Sequence, residues 1–232
     1  MIISLTMHTP RVRSRWLTIA FTISCSGLAI CQKAHVYDLD SFGCNSRHFM
    51  LQDFNKHPRV ESPDRKSSIK IGRDWSFYVV RNEKTLRRIY LSEISSNIEI
   101  GWSPDSSQFF ISYSDGGAIG SFHVRLYQFR GDTVVESRVP EIVAKAFRAR
   151  HWCESRGNNL SFLDWTPDSK VAFLVAQVYP TGDCGEQFGL FRGYAVDLKS
   201  ERILRLYGET QTDAIERSCR KSRSLVLEIP SR

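Results

Sequence analysis

The 232-residue chain carries 32 Lys+Arg against 25 Asp+Glu, with 41% hydrophobic residues, 12% aromatics and six Cys. It is too apolar and too aromatic for a disordered chain, and it lacks the glycine period of a collagen and the apolar run of roughly 18 residues that marks a membrane-crossing helix. The formal charge of +7 is spread along the length, so it points to no nucleic-acid partner.

Residues 1–31 read as a cleaved secretory signal. Arg11, Arg13 and Arg15 form a positive cluster, no acid precedes Asp38, and a mostly apolar stretch follows over 16–30. Its length suits a signal-peptide core and falls short of the roughly 20 residues that span a bilayer. Ala29-Ile30-Cys31 places small residues at −3 and −1 of a cut before Gln32. Lipid attachment at Cys31 is the alternative, disfavoured by the bulk of Ile30. Removing three arginines from 32 Lys+Arg leaves 29 against 25 acids, a charge of +4. The expected location is the periplasm or the exterior, with no transmembrane span in the remaining chain.

Cys44, Cys153, Cys184 and Cys219 remain after that cut. An even number in an exported chain reads as a disulfide framework, with three connectivities open. Cys153 and Cys184 lie in irregular segments flanking one strand pair, which favours Cys153–Cys184. Cys44–Cys219 would then tie the two ends together. There is no Cys-x-x-Cys and no His at zinc-like spacing from a Cys, so no metal is expected.

A turn motif recurs along the chain. Trp102-Ser-Pro104-Asp105-Ser106 matches Trp165-Thr-Pro167-Asp168-Ser169 column for column, and Glu61-Ser-Pro63-Asp64 is a weaker third copy. Pro presets the first central turn position, the flanking hydroxyl and Asp side chains can hold turn amides, and the Trp supplies apolar area between sheets. After each motif the same order is predicted: strand, long strand, short turn, strand. The first unit places them at 67–72, 75–81 and 86–92, and the second at 108–113, 121–130 and 133–137. The third places them at 170–179, 188–198 and 202–207. With the strand before each motif, every unit is a four-stranded antiparallel meander. A short amphipathic helix is predicted over 140–150 between units two and three. A poorer helix is predicted over 212–220, and a last strand over 225–229.

These units resemble the WD-like repeats of TolB-type β-propellers, which are common among exported bacterial proteins. The resemblance covers roughly residues 48–207. It implies an all-β, propeller-like array of four-stranded sheets with one short inserted helix, in a single domain over 32–232. The family usually has Gly after the Asp, where this chain has Arg65, Ser106 and Ser169. Closed propellers need about four or more blades. A degenerate fourth would have to come from 32–60 and 208–232, with Cys44–Cys219 joining first and last strands. An open three-unit array is the alternative; its bare edges would invite a homodimer.

Motifs for chemistry are missing: no Gly-x-Ser-x-Gly elbow, His-Glu-x-x-His or phosphate loop occurs. His123 and His151 read as structural. Asp105 and Asp168, at equivalent places in two repeats, read as turn caps rather than a catalytic pair. The stretch 182–186 has too few carboxylates for calcium. The expectation is therefore a non-catalytic binding or scaffold module, without cofactor, that recognises another protein or an envelope polymer. The alternative is a small hydrolase or carbohydrate-binding lectin with its site in a central cleft.

Overall fold

A computed structural model of the chain describes residues 44, 46–50, 58–72, 74–91, 97–115, 121–151, 158–178, 184, 187 and 189–227. Residues 1–31, expected to be a signal, Cys153 and the 182–183 and 185–186 positions lie outside them.

Three antiparallel sheets form where the repeats predict them. The first holds β2 (Arg59–Glu61), β3 (Ser67–Ile71), β4 (Ser76–Arg81) and β5 (Lys84–Tyr90) in sequential order. The second holds β6 (Asn97–Trp102), β7 (Gln108–Ser114), β8 (Phe122–Arg130) and β9 (Thr133–Glu136), with β1 (Ser46–Met50) added beside β6. The third is β10 (Asn159–Trp165), β11 (Val171–Gln177), β12 (Phe191–Asp197) and β13 (Arg202–Tyr207). Alternation decides which residues go where. In the second sheet Ile98, Ile100, Phe109, Ile111 and Tyr127 pack toward the first sheet, meeting Ile69, Phe77 and Val79. The opposite side sends Phe110, Val124 and Leu126 against Phe162, Leu174 and Tyr194 of the third. The middle sheet is apolar on both faces because both are covered.

The hairpin between β4 and β5 turns on Asn82 and Glu83, both at positive φ (47° and 62°), a combination that matches the right-handed twist of the flanking strands. Gly101 accommodates a neighbour: a Cβ there would meet the Phe110 ring at 2.5 Å.

Helix α1 (Val139–Arg148) buries Val139, Val143 and Phe147 in the core between sheets two and three. Pro140 sits in its first turn. Glu201, from the β12–β13 turn, accepts hydrogen bonds from the Arg138 amide (3.0 Å) and the Ser137 hydroxyl (2.9 Å). A carboxylate is thereby placed at the positive end of the helix.

Two expectations are corrected here. Residues 225–227, expected to begin a last strand, close helix α2 (Glu209–Leu227). No fourth sheet occurs among the described residues, and Cys44–Cys219 does not join two strands. The disulfide exists, Cα to Cα 5.4 Å, but Cys219 belongs to α2 and Cys44 precedes β1. Cys44 donates its amide to the Leu163 carbonyl of β10 (3.0 Å). The linkage secures α2 over the outer face of the third sheet, where Leu163, Val175, Phe191, Phe173 and Ile215 cluster around it. Gly193 allows the approach, since a Cβ would meet Thr212 Oγ1 at 2.7 Å. A helix thus covers the face on which a next sheet would pack. At the other end the outer face of the first sheet is polar, with Arg59, Lys70, Tyr78 and Arg88 in one row across the four strands. A polar outer face is what ends a repeat array in solvent.

Candidate binding site

The three motif turns are built alike. Ser62, Ser103 and Thr166 each accept the turn-closing amide on their carbonyl, from Arg65 (2.9 Å), Ser106 (2.9 Å) and Ser169 (2.8 Å). Their hydroxyls each donate to the motif carboxylate at 2.7 Å: Ser62 to Asp64, Ser103 to Asp105 and Thr166 to Asp168. Each carboxylate also takes an amide two residues on, from Lys66, Ser107 and Lys170. Asp105 and Asp168 are thus occupied within their own turns, and each lies at the exposed tip with Pro104 or Pro167.

The residue after each Asp is left-handed: Arg65 at φ 59°, Ser106 at 62° and Ser169 at 57°. Glycine is the ordinary choice there. The serines have a second use, because each reaches the turn of the preceding unit. The Asp64 amide donates to Ser106 Oγ (3.0 Å) and the Asp105 amide to Ser169 Oγ (3.2 Å). Arg65, in the first unit, has no preceding turn to serve. We expect Ser106→Ala to cost about 1–2 kcal/mol, since the strain stays and the Asp64 amide loses its partner. Ser106→Gly should be within about 0.5 kcal/mol of wild type, because relief of strain offsets the lost bond. Urea unfolding of both variants tests this, and equal costs would remove the role assigned to the serine.

The turn carboxylates also set acid behaviour. Burial raises Asp105, but hydrogen bonds from Ser103 and Ser107 outweigh it and hold the group below 3.8. Asp64 is lowered in the same way. Thr166 and Lys170 bring Asp168 down to about 2. Folded-state values below unfolded ones mean that this stabilisation is complete above pH 3.8 and is lost as pH falls toward about 2. Denaturant midpoints measured from pH 5 to pH 2 should decline within that window, and Asp168→Asn should flatten its lower end.

Both motif tryptophans are 5% exposed and sit between sheets. Trp102 stacks near Phe109 (5.1 Å) and Phe129 (6.0 Å) and donates its Nε1–H to the Val60 carbonyl (3.3 Å). Trp165 lies 4.3 Å from Phe162 and 5.4 Å from Phe110. Glu61, in the tryptophan position of the first unit, is exposed, and among the described residues no earlier sheet packs against that face.

A cleft of about 370 Å³ opens where the first two turns meet β1. Arg47, Glu61, Pro63, Ile100, Trp102 and Pro104 contribute to its walls. Its interior is apolar, with Arg47 at its edge, while the Glu61 carboxylate pairs with Arg59 (3.5 Å) on the exposed side of β2. Arg47 comes from β1, which no motif marked, and stands opposite Ile100 in the register. On the other face of the same strand pair, Ser46 hydrogen-bonds to the buried carboxylate of Glu99.

A second cavity, about 430 Å³, lies under α2 against Asp164, Phe173, Ile215 and Cys219. The Asp164 carboxylate is within 4.8 Å of both Cys44 and Cys219 sulfurs, which are engaged with each other. Cys184 is also disulfide-bonded, while its expected partner Cys153 lies outside the described residues. His123 faces Asp115 at 3.4 Å and His151 ends α1 against Phe147, ring centres 5.0 Å apart. No helix among the described residues is long and apolar enough to cross a membrane.

No family model matches the chain, and no curated protein does. Among solved structures, the Kuenenia stuttgartiensis hydrazine synthase is similar over 65% of this chain at 14% identity, with a TM-score of 0.35. The match spans 36% of that chain, and a likeness so slight carries no argument for this one.

Proposed function

We propose that this chain is an exported, non-catalytic recognition module, an incomplete TolB-type propeller of three sheets that binds another protein or an envelope polymer. The observation that carries the reading is the cleft beside Trp102. Repeat turns build a rim of two prolines around a buried indole, Arg47 supplies a charge for orientation, and Glu61, paired with Arg59, borders the opening. Apolar walls with a few placed polar groups are the ordinary composition of a binding cleft. The motif carboxylates are held in their turns, so the rim is organised for shape rather than proton transfer.

Export is supported by the Cys44–Cys219 disulfide, since such bonds persist in oxidising compartments. A second copy pairing through open edges is supported by Tyr90 on β5 (64% exposed) and Leu204 on β13 (59% exposed), apolar groups on strands that proteins usually cover.

The test compares wild type with Arg47→Ala/Glu61→Ala on a glycan array and in pull-downs from an envelope extract. A partner lost by the double variant, with unchanged thermal melting, supports the reading. A partner retained by the variant, or none in either format, overturns it. Sedimentation of the wild type at several concentrations reports the dimer independently.

A further inference from the structure

The disulfide that secures α2 borders a cavity, and a carboxylate stands beside it. Strand β10 pairs with β11 as Phe162 opposite Leu174 and then as Asp164 opposite Phe173, so Leu163 is an extra residue at a shift of register. Such a shift turns two successive side chains the same way. Leu163 joins the cluster around Cys44 and Cys219, Asp164 lines the cavity beneath α2, and Trp165 returns to the core between sheets two and three. Strict alternation would have sent Asp164 into that core. The Asp164 Oδ1 accepts the Trp165 amide (2.8 Å), and the carboxylate so fixed lies within 4.8 Å of both sulfurs.

The two sulfurs are not equally open. Cys44 is 8% exposed, and its amide is tied to the Leu163 carbonyl. Cys219 is half-buried and contributes to the walls of the 430 Å³ cavity. Ala214 and Ser218, both exposed, bring that cavity to solvent, and Phe173 and Ile215 line it with apolar surface. A small molecule entering beneath α2 therefore meets Cys219 with Asp164 alongside.

We propose that Cys219 is a thiol-exchange site that favours thiols carrying a positive charge. The attacking thiolate forms a bond to Cys219 Sγ, the Cys44–Cys219 bond breaks, and its electron pair leaves on Cys44 Sγ, which takes a proton from water. A second thiolate then attacks the reagent's sulfur in the mixed disulfide and releases Cys219, so the reagent is oxidised to its own disulfide and the protein is reduced. Negative charge arrives on the incoming sulfur and builds on the leaving one, both close to the Asp164 carboxylate. Asp164 thus opposes attack by any thiolate. A cationic group on the reagent relieves that opposition, and an anionic group adds to it. The inference rests on β10 and α2 and does not depend on the Trp102 cleft.

The experiment reacts the oxidised full chain with cysteamine, which is cationic, and with mercaptoethanesulfonate, which is anionic. Each rate is divided by that of the same thiol with a small uncharged disulfide, which removes the difference in intrinsic reactivity. Wild type should then favour cysteamine about tenfold. Asp164→Asn should react faster with the anionic thiol and lose most of the preference, whereas Asp164→Glu should keep it. Asp213, Glu216 and Arg217 of α2 are common to wild type and variants, so the difference isolates Asp164. Salt at about 1 M should erase the wild-type preference, a readout that needs no variant. Acid quenching followed by peptide mapping should find the reagent on Cys219 and a free thiol at Cys44. An adduct on Cys44, equal corrected rates for the two thiols on wild type, or a preference that survives both salt and Asp164→Asn overturns the inference.

Discussion

Replacing Cys44 and Cys219 together by serine is expected to lower the unfolding free energy by about 5 kcal/mol, because the bond closes a loop of 175 residues whose closure entropy then returns to the unfolded chain. The effect should be seen in the denaturant midpoint, with the slope of the transition nearly unchanged. The same shift should follow when the oxidised protein is treated with a neutral phosphine. The structure also says where the damage begins. Cys219 anchors α2 over Leu163, Val175 and Phe191, and among the described α2 side chains only Thr212 is fully buried. Loss of the bond should therefore release α2 first. Amide exchange in 209–227 and binding of a hydrophobic dye should rise before the sheets open. A loss below about 1 kcal/mol, well under the loop-closure figure, would assign the grip of α2 to Thr212 and Ile215 packing and demote the covalent link.

Phe162→Ala should have the second largest effect, a loss of about 3–5 kcal/mol. Phe162 is fully buried between sheets two and three, with the Phe110 ring at 4.2 Å and Trp165 at 4.3 Å. Truncation removes the apolar transfer term, leaves a cavity that two large rings cannot fill by rotation, and breaks two aromatic pairs, each worth about 0.5–1.5 kcal/mol in favourable geometry. Equilibrium unfolding of the variant is the measurement, and Phe162→Leu, which keeps most of the volume, should recover more than half of the loss. If alanine costs under about 2 kcal/mol, below the range for such truncations, the sheets close on the gap and the interface is more plastic than the packing implies. Either result bears on the proposed site, because the sheet stack sets the spacing between successive motif turns.

The strands were legible because their signals are local. The Gln108–Ser114 and Val171–Gln177 runs are rich in β-branched and aromatic residues, and the Pro-Asp turns punctuate them. Helix α1 announced itself through Pro140 and the spacing of Ile142, Val143, Ala146 and Phe147, of which Val143 and Phe147 are the fully buried ones. The missing tryptophan of the first motif copy was legible too, and its reason is now physical: among the described residues Glu61 has no sheet to pack against.

Other features left only faint traces. Among the described α2 side chains, those turned toward the sheet include 212, 215, 216 and 219, a helical spacing carried by Thr, Ile, Glu and Cys. Only one of the four is strongly apolar, so the period hardly shows, while the alternating 225–229 suggested a strand. Strand β1, Ser-Arg-His-Phe-Met, alternates weakly, and nothing in those residues says that they pair with β6.

What the amino-acid sequence determined by itself was therefore the repeated unit: strand, turn, strand, and the hydroxyl–Pro–Asp chemistry of the turn, all settled by residues within about ten positions of one another. Tertiary structure alone decided how the array ends. It placed β1 on the edge of the middle sheet, brought Arg47 and Trp102 to one cleft, and laid α2 over the third sheet. Those choices rest on pairing between segments far apart in the chain, where edge hydrogen bonds, a covalent link and the covering of apolar surface outweigh local preference, and no short-range pattern encodes them.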